Sequence, residues 1–259
     1  MLFLKLLENF AEGSFGWFAI SILGILLSII VPYLIGSLNF AIIFSEKMYH
    51  HDVREYGSGN AGGTNMLRTY GKKAGLITIL CDMAKAALGV FIGYLCLPFF
   101  VAGGSKVIAG LFVILGHVFP LYFHFKGGKG VASTGVVILI SSPPTAGILF
   151  LIFILIIAFT KYVSLGSVMC MLIYPLLYNR IETWVINQNL EKGACTAAVA
   201  AVRMQSVGIG TIMAILIAAL VIFMHRGNIQ RLRRGEESKL SFRKKPASDQ
   251  DSGNGESDQ

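Results

Sequence analysis

Several polar segments of the chain are rich in glycine, serine or asparagine, and all but the first also carry cationic residues. They comprise residues 57–65, 126–130 and 161–167 and a segment that begins at His225. Glycine leaves backbone N–H groups accessible and lysine or arginine adds full charge, so such segments can hold phosphate oxygens, above all where a helix follows. The sequence KGGKG at 126–130 precedes an apolar run and fits this geometry. Each segment alone could equally be a turn between helices, but several on one side of a membrane favour a shared site.

Familiar alternatives to this phosphate site are disfavoured by spacing. Lys129 is followed by Gly130 rather than serine or threonine, so the segment is not a nucleotide P-loop. None of the 5 histidines has an aspartate five positions later, which disfavours the acyltransferases that use acyl-CoA or acyl carrier protein. The cysteines occur singly, so we expect no disulfide, no metal site and no cofactor. They are Cys81, Cys96, Cys170 and Cys195.

The elements that position these segments are membrane helices. Of the 259 residues, 54% are hydrophobic and 14% charged, and the mean hydropathy is +0.67. Runs of roughly 18 to 22 apolar residues can cross the hydrocarbon of a bilayer as helices. The sequence predicts an all-α polytopic membrane protein with about seven transmembrane helices. The runs lie near 15–40, 75–100, 106–124, 130–142, 144–160, 162–179 and 206–224.

The fourth and fifth runs are the doubtful pair. Pro143 and Pro144 break the apolar stretch, and the piece before them is too short to span a bilayer unaided. A short helix buried among the others is the alternative for this piece.

Charge asymmetry predicts the orientation. An odd number of crossings places the termini on opposite sides, and a cytosolic carboxyl terminus puts most of the 22 lysines and arginines in the cytosol. The N-terminus is then outside, and every glycine-rich segment faces the cytosol. The net charge of +8 reflects this topology and contact with membrane lipid rather than nucleic acid. We expect one membrane domain over residues 1–240 and a disordered cytosolic tail over 241–259.

Two charged residues fall inside the second apolar run. Asp82 and Lys85 are three positions apart, so they share one helical face. Charges inside a bilayer usually pair or line a polar interior. We interpret this pair as structural, with substrate contact as the alternative. His117 lies near a predicted helix end, where a lone histidine is more often packed or capping than catalytic.

The polar segments carry motifs of a known family. The first runs from Gly36-Ser37 through Asp52-Val-Arg54 to residues 57–65, the second from 116–120 into 125–132, and the third over 225–237. Together they resemble the membrane acyl-phosphate:glycerol-3-phosphate acyltransferases, known as PlsY, from about Ile35 to Glu237. The departures exchange small residues or lie on the outer side. They are Ala61, Gly63, Ala86, Ser133 and a long 180–205 loop.

The resemblance implies a reaction. A fatty acyl group would pass from acyl phosphate to the sn-1 hydroxyl of glycerol 3-phosphate, giving lysophosphatidic acid and phosphate in the first step of phospholipid synthesis. The enzyme would lie in the bacterial inner membrane with its active site facing the cytosol, and the enzyme that makes acyl phosphate is a further candidate partner. Because the donor is already activated, charge neutralisation and positioning should suffice without a protein nucleophile.

The resemblance also assigns residues. The catalytic set comprises Ser37, Arg54, His225 and Asn228. His225 would act as general base, or would only hydrogen-bond substrate while an oxygen of the acyl phosphate takes the proton. Glu237 would have a structural role, pairing with a cation such as Arg231. The substrate-binding set comprises Lys126, Gly127, Gly128, Lys129, Gly130, Ser164, Ser58, Asn60 and Asn65.

Two rivals come from other classes of protein. An anion transporter would also show many helices and intramembrane charge, but it predicts a polar path through both leaflets, whereas polarity here is concentrated on one side. A non-catalytic membrane scaffold would leave the glycine-rich segments unexplained.

Overall fold

The computed structural model describes residues 15–96 and 104–240, which are helical with short connections and contain no strand. Two single turns of 3-10 helix, Val53–Glu55 and Leu121–Phe123, interrupt the loops. The helices, in chain order, are α1 Phe15–Gly36, α2 Phe40–Tyr49, α3 Gly63–Tyr70, α4 Lys72–Cys96, α5 Gly104–Val118, α6 Val131–Ser141, α7 Pro143–Thr160, α8 Val163–Glu191, α9 Ala197–Met224 and α10 Arg226–Arg234. The tail at 241–259 and the amino-terminal residues 1–14, for which predictions were made, lie outside the described residues.

The described residues contain 5 segments that are long and apolar enough to cross a membrane. The predicted number of about seven and the predicted sides of the termini are therefore not confirmed. Helix α6 has 11 residues and buries Val136, Val137 and Ile138, so the alternative of a short helix packed among the others is the one observed. Helix α8 has 29 residues but carries Arg180 and Glu182 in its second half. The five segments are Ile22–Tyr49, Lys72–Cys96, Lys106–Phe123, Pro143–Thr160 and Ala197–Met224.

Small residues bring the first helices close together. Helix α1 packs against both α4 and α5. A Cβ atom on Gly36 would lie 2.2 Å from the Val113 carbonyl oxygen, and one on Gly116 would lie 2.1 Å from the Tyr33 carbonyl oxygen. Only glycine allows this approach, as in other membrane helix pairs. The end of α1 is thereby fixed against the end of α5, where the polar loops begin.

The apolar core lies between α5, α6, α8 and α9. Its fully buried members include Ile114, Val137, Tyr174 and Ile217. Helix α7, by contrast, is apolar on its outer surface, where Phe150 and Phe159 are exposed. Exposed side chains of this kind suit hydrocarbon and not water, so the bundle presents its outer face to lipid.

Candidate active site

The loop after α2 is held by one buried asparagine. Asn65 Nδ2 donates to the carbonyl oxygens of Val53 and Tyr56, each at 2.9 Å. Its Oδ1 accepts from the Ser58 backbone N–H, also at 2.9 Å. Both ends of the side-chain amide are thus bonded to backbone, and Asn65 is only 1% exposed. Asn65 therefore braces the loop, and its predicted contact with substrate stays a prediction. Ser58 and Asn60 are half-buried on the same loop.

Arg54 connects this loop to the next one. Its Nε and Nη2 atoms donate to the Asp52 carboxylate at 2.8 Å and 2.5 Å. Its Nη1 donates to the carbonyl oxygens of Phe123 and Lys126 at 3.3 Å and 3.1 Å. Burial alone would raise the pKa of Asp52, but the hydrogen bonds and charge of Arg54 outweigh it and hold that pKa below its usual value. All three guanidinium nitrogens have partners, so the predicted phosphate contact of Arg54 stays a prediction.

The glycine-rich loop at 126–130 has some backbone amides that are bonded within the protein and others that are free for a ligand. The N–H groups of Gly127 and Gly128 donate to the carbonyl oxygens of Val118 and His117, at 3.1 Å and 3.2 Å. Sequence reasoning assigned these two amides to the acyl phosphate, but they fasten the loop to the end of α5. The next amides, from Lys129 into the first turn of α6, have no backbone or side-chain partner among the described residues. The amides without a partner in this structure thus begin at Lys129, and the predicted contact of Gly127 and Gly128 with acyl phosphate stays a prediction.

A chain of side-chain contacts brings three distant segments together. Lys129 Nζ donates to Asn228 Oδ1, and Asn228 Nδ2 donates to Glu237 Oε1 at 2.7 Å. Ser164 Oγ donates to the same Glu237 oxygen at 2.9 Å. Arg231 Nε lies 2.9 Å from Glu237 Oε2, which is the partner that sequence reasoning named for Glu237. We call Lys129, Asn228, Glu237 and Ser164 the Glu237 cluster.

Burial sets the charges in the Glu237 cluster. Desolvation lowers the pKa of Lys129 to about 8, with Glu237 opposing the shift and Arg231 and Arg68 adding to it. Desolvation would raise the pKa of Glu237, but hydrogen bonds from Asn228, Arg231 and Ser164 outweigh it and leave that pKa below its usual value. The carboxylate therefore stays ionised, while the ammonium group is charged at neutral pH and is easily neutralised above it.

His225 lies at the end of α9 beside this cluster and is 2% exposed. Its Nδ1 is 2.7 Å from the Val221 carbonyl oxygen. Since a carbonyl only accepts, we assign the proton to Nδ1 and leave Nε2 as an acceptor. Burial lowers the pKa of His225 to about 4, with Lys129 contributing and the Val221 bond and Glu237 opposing. A neutral imidazole with a free Nε2 can accept a proton or a hydrogen bond from a hydroxyl, so both predicted roles stay open.

Other predicted residues lie apart from this cluster. Ser37 is fully buried directly after the last residue of α1, where its Oγ donates to the Tyr33 carbonyl oxygen at 2.9 Å. Lys126 is exposed, and it meets the rest of the site through its backbone carbonyl. Gly130 has a positive φ of 77° and begins α6. Direct contacts thus unite Lys129, Asn228, Glu237 and Ser164, whereas Ser37, Ser58 and Asn60 have no side-chain bond to them.

Sequence reasoning missed how residues 237–240 return to the site. Arg68 Nη2 donates to the Ser238 carbonyl oxygen at 3.3 Å. The Leu240 backbone N–H donates to the Lys161 carbonyl oxygen at 2.7 Å. Residues up to Leu240 therefore lie across other parts of the same end of the bundle, against α3 and the turn between α7 and α8. The partners are backbone groups far apart in the chain, and no residue pattern would have indicated them.

Comparison with known proteins identifies the family. The family model described as glycerol-3-phosphate acyltransferase matches residues 26–235, which contain the glycine-rich loop and most of the third motif. The chain belongs to this family. A glycerol-3-phosphate acyltransferase of Finegoldia magna is 37% identical over 214 residues, which are 82% of this chain and 93% of that protein. One of Syntrophomonas wolfei is 36% identical and is covered to 95%, against 82% of this chain.

Solved structures agree with this assignment. The glycerol 3-phosphate form of PlsY (YgiH), an integral membrane glycerol 3-phosphate acyltransferase, superposes with a TM-score of 0.66 at 33% identity, covering 83% of this chain and 95% of that one. The lysophosphatidic acid form gives a TM-score of 0.64 at 31% identity, covering 84% and 95%. The predicted family and enzyme class are confirmed: the chain is an integral membrane glycerol-3-phosphate acyltransferase of phospholipid synthesis.

Proposed function

We propose that this enzyme transfers a fatty acyl group from acyl phosphate to the sn-1 hydroxyl of glycerol 3-phosphate and releases lysophosphatidic acid and phosphate. The observation that carries the proposal is the Glu237 cluster, which lies next to the free amides of α6. In it a half-buried lysine donates to an asparagine, and that asparagine and a serine donate to one carboxylate. Substrates that both bear phosphate are suited to this combination of ammonium and N–H donors.

The reaction needs positioning and charge neutralisation. The sn-1 oxygen attacks the acyl carbonyl carbon, the carbon–oxygen bond to phosphate breaks, and phosphate departs with the bonding electrons. The hydroxyl proton passes to His225 Nε2 or to a phosphate oxygen. Lys129 and the amides from Lys129 into α6 would balance the negative charge on the departing phosphate. Asn228, Ser164 and Ser37 would orient glycerol 3-phosphate, with Arg54 as a further phosphate contact.

We place this site at the cytosolic face of the bacterial inner membrane. Lys126, Lys161, Arg226 and Lys239 all lie on loops or helix ends at the same end of the bundle as Lys129. Cations gather on the cytoplasmic side of membrane proteins, where they also attract anionic substrates. An enzyme that makes acyl phosphate would deliver its product at this surface.

The test is phosphate release by the purified protein in detergent. Palmitoyl phosphate is supplied with and without glycerol 3-phosphate, palmitoyl-CoA serves as the control donor, and the position of the acyl group on the product is determined by NMR. We expect release that depends on glycerol 3-phosphate, sn-1 product and a strong loss in Arg54→Ala. Turnover with palmitoyl-CoA alone, or an sn-2 product, would contradict the proposal.

A further inference from the structure

A group of ionisable side chains lies beneath the site, inside the helical bundle. Asp82 and Lys85 come from α4 and His117 from the end of α5, and each is 2% to 4% exposed. Asp82 Oδ1 is 2.9 Å from Lys85 Nζ and 3.6 Å from His117 Nδ1. The reaction proposed above uses none of the three. We call them the Asp82 triad.

Stability alone is a poor reason for such a group. Removing charges from water is expensive, and a buried ion pair is often no more stabilising than apolar side chains of the same volume. Ionisable groups inside a membrane protein therefore usually serve the site that they adjoin. The contacts of Lys85 and His117 outside the triad show which site that is.

Lys85 fixes the turn between α1 and α2. Its Nζ also donates to the Leu38 carbonyl oxygen. Leu38 follows Ser37, and the next residue, Asn39, caps α2 and donates to the Ala61 carbonyl oxygen at 3.4 Å. The ammonium group thus holds the backbone directly after Ser37, the residue assigned to glycerol 3-phosphate.

His117 fixes the glycine-rich loop instead. Its carbonyl oxygen accepts from the Gly128 N–H at 3.2 Å. Its ring packs so closely on that loop that a Cβ on Gly128 would lie 2.3 Å from His117 Nε2. The imidazole therefore supports the backbone directly before Lys129, on the side assigned to acyl phosphate.

We propose that the Asp82 triad is a positioning unit that sets the separation between the Ser37 turn and the glycine-rich loop, and so between the two substrates. Oδ1 of Asp82 forms the ion pair with Lys85 and faces the His117 ring at 3.6 Å, so both supports lie against a single carboxylate oxygen. Lys85 transmits that position to Ser37 and His117 transmits it to Gly128. This inference rests on the proposed function, because it assigns one substrate to each support.

The proposal predicts a separation of Michaelis constants. Lys85→Met removes the bond to Leu38 and should raise the KM for glycerol 3-phosphate about tenfold, with little change for acyl phosphate. His117→Gln loses the ring that packs on Gly128 and should raise the KM for acyl phosphate by a similar factor, with little change for glycerol 3-phosphate. Asp82→Asn should raise both. A general loss of stability would not divide the two substrates in this way.

The matched control is Thr78→Val. Thr78 is fully buried one turn before Asp82 and bonds only the Ala74 carbonyl oxygen of its own helix, at 2.8 Å. It should leave both KM values within about twofold of wild type. Lys85→Arg keeps a cationic donor and should recover most of the loss seen in Lys85→Met.

The outcomes separate this inference from the proposed function. A wild-type protein without glycerol 3-phosphate-dependent release would contradict the function itself. The positioning proposal would be overturned if the wild type is active but Lys85→Met and His117→Gln each raise both KM values equally. It would also be overturned if neither variant raises either KM value. If Asp82→Asn does not fold, those two variants and Lys85→Arg still decide the question, since each retains the carboxylate.

Discussion

The two glycine-rich loops of the site are held in place in different ways. Residues 57–65 are organised by Asn65, whose partners are 7 to 12 positions away in the chain. The loop at 126–130 contains Lys129, whose side-chain partner Asn228 is 99 positions away. The first loop is therefore a local structure that folds around one side chain. The second is fastened to the end of α5 but becomes a binding site only when α8, α9 and α10 have packed, so loss of the Lys129 side chain should affect catalysis more than stability.

Lys129→Met gives the largest expected effect. The variant removes the buried ammonium group from the Glu237 cluster at nearly constant volume. Activity as kcat/KM should fall by about 10³-fold, in the range found when a charge-stabilising donor is removed from an active site. Thermal unfolding in detergent should shift little, because desolvation already disfavours the charged lysine.

Lys73→Met is the control for this variant. Lys73 is an exposed cation in the first turn of α4, outside the site. It should retain wild-type kcat/KM within about twofold, the ordinary effect of a distant surface charge. Equal losses in both variants would mean that the effect is general electrostatic attraction, and the contrast between the loops would fail.

Gly128→Ala tests how tightly the second loop is packed. The added Cβ would lie 2.3 Å from His117 Nε2 and 2.6 Å from the Ala61 carbonyl oxygen, so backbone must move. We expect a loss of about 3 kcal/mol in the free energy of unfolding, at the upper end for overpacking. Differential scanning calorimetry in detergent measures the corresponding change in Tm.

Gly135→Ala is the matched comparison in α6. A Cβ there meets nothing within 4 Å, and alanine favours a helix over glycine by about 1 kcal/mol. Its Tm should equal or exceed that of wild type. A Gly128→Ala protein as stable as Gly135→Ala would show that the loop is not closely packed.

Asn65→Ala probes the local loop. The variant leaves the carbonyl oxygens of Val53 and Tyr56 without this donor, which should cost about 2 kcal/mol of stability. Asn60→Ala, on the same loop, should instead raise a KM while leaving the Tm unchanged, if Asn60 binds substrate. The measurements are the Tm and both KM values of the two variants. An Asn65→Ala protein with an altered KM and an unchanged Tm would contradict the distinction between a bracing and a binding residue.

The same contrast explains what the sequence could predict. Glycines and an asparagine spaced over residues 57–65 predict a polar loop without knowledge of the rest of the fold, and Pro143 predicts the break between α6 and α7. Apolar length predicted most of the helices. It could not show that α6 lies within the bundle or that polar residues continue the helix of α8, because burial by neighbouring helices depends on tertiary packing.

The identity of the free amides was also beyond the sequence. In KGGKG every residue offers a similar N–H group, and only the position of α5 decides that Gly127 and Gly128 are bonded to its last carbonyls. Likewise, Arg54 was predicted to bind phosphate, yet its geometry shows bonds to Asp52 and to two carbonyl groups. Motif resemblance located both residues in the site but could not give their bonding partners.

The smallest expected effect is on the pH dependence of kcat/KM. Lys129 has a pKa of about 8, so it is charged below that pH and neutral above it, and kcat/KM should fall about tenfold per unit of pH on the alkaline side. His225, with a pKa of about 4, is neutral across pH 5 to 9 and should add no limb there. The second ionisation of the substrate phosphate near pH 6 gives a separate change that every variant shares.

Lys129→Arg separates these contributions because a guanidinium keeps its charge well above pH 8. In this variant the alkaline limb near pH 8 should disappear, while the change near pH 6 should remain. The measurement is kcat/KM for acyl phosphate from pH 5 to 10 in both proteins, at constant ionic strength. If the alkaline limb is unchanged in Lys129→Arg, the limb belongs to another group, and Lys129 is not the titrating cation of the Glu237 cluster. Loss of the alkaline limb in Lys129→Arg would show that the Lys129 ammonium group, which lies against Asn228, neutralises the negative charge of the substrate.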